Sequence, residues 1–581
     1  MADSGITVLA SDTLIQANAV DYLVIAVYFG FVIAIGFMAS RRVSDSLDFF
    51  LSGRSLPAWV TGLAFISANL GAVEIMGMSA NGAQYGLPAV HYFWIGAIPA
   101  MLFLGVVMMP FYYGSKVRSV PEFMLRRFGP GAHLVNSISF AVAQLLIAGI
   151  NLYLLGSIIQ ALLGWNLTLA LLVAAVIVLS YITLGGLSAA IYNEVLQFFV
   201  IVAGLLPLTL IGLHQVGGWG GLKDKITANA GDGGSATAAQ QLSSWPGTDL
   251  TGFDSSILSV IGIVFGLGFV LSFGYWTTNF VEVQRAMATE SISAARKTPI
   301  IGAFPKMFVP FITILPGMIA AVLVAEMVKT KAGETVAGGA SGTVKFNDSL
   351  LYLMRDLLPN GLLGIAITGL LAAFMAGMAA NISAFNTVFS FDLWGQYVVK
   401  DRSDGYYLKV GRIATVGATL VAVFTAQLAS NFSNIMDYLQ TLFGFFNAPL
   451  FATFILGMFW KRMTSTAGWV GLSFGTIAAV FVAFLSEGTL GSLSIGAIPL
   501  SGQGASFVAA GAAFVVDIVL SVVVSLMTAP KPASELVGLV YSETPVEQRT
   551  DEHEASYPWY RRTVPLAGLA LAMVVVLNIA F

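Results

Sequence analysis

Between Ala64 and Gly86 the chain reads AFISANLGAVEIMGMSANGAQYG, apolar and long enough to cross a bilayer, yet it holds Asn69, Glu74 and Asn81 among four glycines. A carboxylate at mid-membrane depth costs several kcal/mol unless it is paired, protonated or wetted, so Glu74 is a functional candidate by default. An acid flanked by amides suits recognition of hydroxyl groups, ion binding or proton exchange. The plainer alternative is an interhelical hydrogen bond that glues a bundle together. Gly71, Gly77, Gly82 and Gly86 weaken helical continuity. In lipid, a broken helix survives only where its freed backbone groups line a cavity or are buried in protein. An unwound second span facing an internal site is therefore expected.

Other chemistries find no residues to carry them. Cysteine is absent, which removes disulfides, thiolates and Cys-ligated metals. The four histidines, His91, His133, His214 and His553, are scattered without HExxH or comparable spacing and are expected to be interface or loop residues. No nucleophile–base pair or resident metal set emerges, so the chain is not expected to be an enzyme. The net charge of -3 points to no nucleic-acid partner.

The elements that position these groups follow from composition. Hydrophobic residues make up 57% of the 581, charged residues only 10%, and the mean hydropathy is +0.84, against about 25% charged residues in soluble domains. The chain is predicted to be an all-α polytopic membrane protein. About fourteen apolar runs match the ~20 residues that span a bilayer, beginning at 20–40, 57–82 and 87–113, and including 167–187 and 191–214, before the last at 564–581. The polar start, MADSGITVLASDTLIQANAVDY, is unlike a signal peptide, so the first run is expected to be retained. Lys and Arg cluster in the odd loops: Arg41, Arg42 and Arg54; Lys116, Arg118, Arg126 and Arg127; Arg285, Arg296 and Lys297; Lys400, Arg402 and Lys409; Lys461 and Arg462. The positive-inside rule then predicts both termini outside the cytoplasm, since the long loops 217–255 and 329–360 translocate regardless of charge. Residues 347–359 have the apolar spacing of a short interfacial helix, and the proline-punctuated stretch 529–562 resembles a cytoplasmic tether.

Five stretches in order resemble the solute:sodium symporter family, and within it the sodium/glucose and sodium/galactose carriers. They are DFFLSGRSLPAWVTGLAFISANLGAVEIMGMS, SVPEFMLRRFG (119–129), YITLGGLSAAIYNEVLQ (181–197), VQRAMATES (283–291) and GMFWKR (457–462). The likeness covers about residues 20–465. It implies a LeuT-like core of two five-helix inverted repeats with flanking helices. The resulting division is 1–56 (tail, first helix and loop), 57–215 (first repeat), 216–255 (extracytoplasmic loop), 256–460 (second repeat) and 461–581 (C-terminal helices and linker). Inverted repeats place broken helices and a solute site near the midplane, with alternating access by rocking of one bundle against another.

The resemblance also implies a solute site at Asn69, Glu74, Phe93, Ser272, Tyr275, Trp276, Lys306 and Gln440, and an outer gate of Met78, Tyr92 and Met436. Sugar carriers of the family have an acid where this chain has Phe93, while the acid here is at Glu74. The family's sodium site maps to backbone carbonyls of Ser67, Leu70 and Ala373 and to two hydroxyl positions occupied here by Ala376 and Gly377, so two oxygens are lost. Glu194 matches an acid on the inward ion path. The function implied is a cation-coupled symporter of the plasma membrane that imports a small polyhydroxylated solute, a monosaccharide first. Inositol, a carboxylate or an amino acid are the alternatives. Sodium is the implied coupling ion, with no other cofactor; an isolated Glu74 carboxyl makes proton coupling the alternative, and pairing of Glu74 with Lys306 an uncoupled or weakly sodium-driven carrier. No obligate protein partner is evident beyond the bilayer. A transporter-like sensor is disfavoured, because no signalling domain follows before Phe581.

Overall fold

Large apolar side chains face outward and small or hydroxylated ones face inward, the pattern of helices packed in lipid. On the helix Asp404–Ala429, Ile413, Leu420, Phe424 and Leu428 are exposed, whereas Thr415, Ala418, Thr419, Ala422 and Ala426 are buried. Small residues let neighbouring backbones approach, and hydroxyls bond inward to i−4 carbonyls; Thr415 and Thr419 do so at 3.0 and 2.9 Å. The computed structural model describes residues 13–40, 54–114, 117, 119–230, 237–245, 247–339, 342–487, 489, 494–500, 502–549 and 551–581. The start of the chain, Arg41, Arg42, Lys116, Arg118 and the first residues of the DFFLSGRS stretch lie outside them.

The helices used below are α1 (Ala19–Ser40), α2 (Ala58–Asn69), α3 (Ala72–Tyr85), α4 (Leu87–Tyr113), α5 (Pro130–Leu163), α6 (Leu167–Val216), α7 (Ser256–Thr278), α8 (Phe280–Met287), α9 (Ile292–Lys306), α10 (Leu362–Val398), α11 (Asp404–Ala429), α12 (Ile435–Phe459) and α13 (Gly502–Met527). Among the described residues there is no β-strand, only isolated bridges. Eleven helices are long and apolar enough to cross a membrane, and the bent pair α2 and α3 forms one further span. The expected runs 20–40 and 167–187 fall on α1 and on the start of α6, where the apolar stretches Ala19–Ile35 and Leu167–Leu179 are shorter. α6 is a single helix of 50 residues and also carries the run expected separately at 191–214.

The expected break in the second span is present. α2 ends at Leu70, α3 begins after Gly71, and the halves meet at 55°. The reason is a close crossing with α10: a Cβ on Gly71 would lie 3.2 Å from the Gly377 Cα, and one on Gly377 3.1 Å from the Gly71 Cα. Glycine at both places lets the broken backbone touch α10 directly. The carbonyls that follow Ile66 are consequently left without helical partners.

Two loop expectations receive detail. The short helix Ser349–Leu357 buries Leu350, Leu351, Leu353 and Met354, and its Arg355 grips Glu326 at 2.9 and 3.2 Å. The stretch 529–562 is docked, not a loose tether: Leu536 and Val540 are buried, Tyr541 packs on Phe111 and Phe459, and Glu554 meets Arg296 at 3.0 Å. Its prolines interrupt helices without preventing packing. On the opposite side of the bundle, Lys331 donates to Ala83 O (2.7 Å) and Gln241 Oε1 (2.6 Å). Burial pushes Lys331 down to about 8 and the nearby Asp249 carboxyl up to about 6, the latter against the pull of Lys331. His91 and His133 are buried and hydrogen-bonded, to Ser244 O (2.9 Å) and to Asp392 Oδ1 (3.0 Å), rather than lying in loops.

Candidate functional site

The centre of the site is built where two helices end. Glu74 stands in the first turn of α3 and Lys306 in the last turn of α9. Each charge therefore complements the end of its own helix dipole. Pro299 and Pro305 shape the end of α9. The Lys306 ammonium donates to both Glu74 Oε1 and Asn69 Oδ1, and the Lys306 and Glu74 side chains are only 2% and 14% exposed. Nζ also lies over the rings of Phe93 (5.0 Å) and Trp276 (5.2 Å), a cation–π arrangement. The position where sugar carriers have an acid thus holds the aromatic face against the same cation that Glu74 neutralises. Of the two arrangements expected for Glu74, isolated or paired with Lys306, the structure has the pair.

The polar chain continues from Asn69 Nδ2, which donates to Tyr275 Oη (2.9 Å), to the Tyr275 hydroxyl, which donates to Glu282 Oε1 (2.8 Å). Tyr275 is held by Phe443 at 4.6 Å and by an edge contact with Trp276 at 5.3 Å. Glu282 is fully buried on α8, and its Oε2 has no partner among the described residues.

Asn69, Glu74, Phe93, Ser272, Tyr275, Trp276, Lys306 and Gln440 all border one cavity of about 830 Å³, counted with its opening to solvent. Ser272 and Phe93 sit on wide π-turns of α7 and α4, local departures from α-geometry that recur at functional sites. Gln440 on α12 is 4% exposed, and nothing among the described residues hydrogen-bonds its amide.

Met78, Tyr92 and Met436 border the same cavity. α3 closes on the start of α12 there, where Asn434 Nδ2 donates to Asn81 Oδ1 and Gln84 Oε1, both at 2.8 Å. Tyr92 donates to Gln503 on α13, which in turn donates to Asp437. At the other end of the bundle, Arg285 binds Glu194 through Nη2 (2.6 Å) and Nε (3.3 Å), both side chains fully buried. Glu194 is therefore remote from the cavity and paired. Leu56 exchanges backbone hydrogen bonds with Ala288 and Glu290 beside it.

Of the residues matched to a cation site, Gly377 borders the cavity, while Ser67, Leu70, Ala373 and Ala376 are buried behind it. The Ala373 carbonyl lies 3.7 Å from where a Gly71 Cβ would be. Among the described residues no group of three or more His, Cys, Asp or Glu could hold a metal. Residues outside the expected set also meet here: Glu282, Asp437 with Gln503, and Asn151 on α5, whose side-chain oxygen faces Gly377. Glu282 was legible as an acid inside VEVQRAM, and Asn151 as the polar residue within IAGINLYLL.

The sodium:solute symporter family matches residues 49–475. The chain is 28% identical over 478 residues to the sodium/glucose cotransporter of Vibrio parahaemolyticus, covering 80% of this chain and 85% of that one. It is 29% identical over 471 residues to sodium/myo-inositol cotransporter 2 of Sus scrofa, covering 79% and 68%. A Na+-coupled sialic acid symporter, solved in a substrate-bound outward-open state, superposes with a TM-score of 0.68 at 18% identity over 88% of this chain and 99% of that one, a likeness of fold. With the match spanning most of the chain and the fold in agreement, this protein belongs to the sodium:solute symporter family.

Proposed function

We propose that this chain is a sodium-coupled symporter that imports a small polyhydroxylated solute, a monosaccharide first, across the cell membrane by alternating access. The observation that carries the reading is the convergence of Glu74, Lys306, Asn69 and Gln440 on one cavity at the break between α2 and α3. A sugar hydroxyl both donates and accepts. Glu74 offers acceptors, Lys306 donors, and the Asn69 and Gln440 amides both. Phe93, Tyr275 and Trp276 supply aromatic walls, and Ser272 a further hydroxyl. The names of the relatives, glucose and myo-inositol carriers, support the polyhydroxylated class.

In this reading the fourteen spans form repeats at 57–215 and 256–460, flanked by 1–56, 216–255 and 461–581. Met78, Tyr92 and Met436 gate the outer path, and the Glu194–Arg285 pair closes the inner one. Backbone carbonyls of Ser67, Leu70 and Ala373 face the cation beside Ala376 and Gly377. Engagement of Glu74 by Lys306 favours sodium over a proton as driver, because the carboxylate already holds a cation. Uptake of a labelled panel of hexoses, myo-inositol, a sialic acid and an amino acid into proteoliposomes under an inward sodium gradient tests the solute. Saturable uptake of a hexose or inositol supports the reading; uptake of the amino acid alone overturns it.

A further inference from the structure

The two hydroxyls that the family resemblance places on α10 are replaced by Ala376 and Gly377, yet the position is not bare of oxygen. Asn151 on α5 reaches it from the opposite side. Its Oδ1 lies 3.1 Å from where a Cβ on Gly377 would be and 3.7 Å from where one on Gly71 would be. A serine at 377 would push its side chain into this oxygen and into the Gly71 backbone. The amide of Asn151 thus occupies the space that a longer side chain at 377 would need.

The orientation of that amide is fixed. Nδ2 donates to Ile147 O at 3.1 Å, and a carbonyl accepts only from a donor, so the oxygen must be the atom turned toward Gly377. Asn151 is 2% exposed, and its Oδ1 has no hydrogen-bond partner among the described residues. A buried amide oxygen left unpaired forfeits stability unless something satisfies it. The Ala373 carbonyl borders the same Gly71 position, 3.7 Å from where its Cβ would be, and the carbonyls of Ser67 to Leu70 at the end of α2 have no helical partners. The Ser67 hydroxyl, also buried and unpartnered, belongs to the same turn of α2. Oxygens gathered from α2, α5 and α10 at one crossing make an environment for a hard cation.

We propose that Asn151 provides a side-chain oxygen of the coupling-cation site, compensating from α5 for the hydroxyls missing at Ala376 and Gly377. Because α5 touches the cation in this arrangement, ion binding ties α5 to both halves of the broken span and to α10 at one point. This rests on the sodium-symport reading.

The test uses the full chain purified in detergent, titrated with sodium chloride against choline chloride at constant ionic strength, with thermal stability as readout. Ligand that binds only the folded state raises stability with its own midpoint. The wild type is expected to be stabilised by sodium. Asn151→Leu is expected to raise the sodium midpoint about ten-fold or more, and Asn151→Asp, which keeps an oxygen and adds charge, to lower it by a similar factor. The Asp variant keeps the proposal testable should the Leu variant fail to fold. Unchanged midpoints in a folded Asn151→Leu, or in Asn151→Asp, overturn the role of Asn151 while leaving sodium symport intact. A wild type indifferent to sodium instead overturns the reading beneath it.

Discussion

Removing one member of the Glu74–Lys306 pair separates a binding role from a merely structural one. Lys306→Met deletes the cation, leaves the Glu74 carboxylate without its partner, and strands the Asn69 oxygen that Lys306 now satisfies. Breaking a buried ion pair from one side costs about 3–5 kcal/mol. Glu74 is 14% exposed to the cavity, so water offsets part of this and the lower end, about 3 kcal/mol, applies. Glu74→Gln strands the ammonium in the same way. The double variant Glu74→Gln with Lys306→Met carries no unpaired charge and should be more stable than either single, a coupling energy above about 3 kcal/mol in the cycle. Solute affinity should not recover, since the groups that bond to the hydroxyls are gone. Denaturant unfolding of the four proteins in detergent, beside equilibrium binding of the transported solute, measures both quantities. A double variant that is stable and binds solute with wild-type affinity would refute a role for the pair in recognition; singles as stable as the wild type would refute the ion pair.

The Gln440 amide is free to bond solute, so Gln440→Ala should weaken solute binding roughly ten- to a hundred-fold, or about 1–3 kcal/mol, with the fold unchanged; unaltered affinity by isothermal titration would remove it from the site. The chain has no cysteine of its own, so an impermeant thiol reagent applied to intact cells should label Asn229→Cys but not Ser542→Cys, both exposed positions; the reverse pattern would invert the topology. Burial raises Asp249 from 3.8 to about 6, so its ionised form costs the folded state stability fully above pH 6 and not at all below 3.8. Asp249→Asn should therefore raise the unfolding temperature at pH 7.5, with the gain vanishing near pH 4; a gain independent of pH would contradict the assignment.

Much of the site was legible because a bilayer makes polarity conspicuous. Glu74 and Asn69 stood out within an apolar run, and the glycines around them foretold the break at Leu70–Gly71. Lys306 and Gln440 followed from the family resemblance and do border the cavity. What the one-dimensional pattern could not convey was partnership. Whether Glu74 is isolated or paired depends on a contact across 232 residues. Asn151 resembles any interhelical asparagine until its oxygen is placed against Gly377 on another helix. Tyr92, Gln503 and Asp437 likewise meet only through the packing of α4, α12 and α13. The docking of 529–562 was hidden by its composition, since prolines and acids suggest a tether whether or not Leu536 and Val540 find a groove.

The central claim is that sodium, not a proton, drives uptake through this site. Proteoliposomes holding the wild type and Glu74→Gln, each tested with an inward sodium gradient at equal pH and with an inward proton gradient in sodium-free buffer, test it most directly. Concentrative uptake of the solute by the wild type under the sodium gradient alone is the predicted result. Uptake driven by the proton gradient without sodium, and lost in Glu74→Gln, would contradict the account and make Glu74 the coupling group.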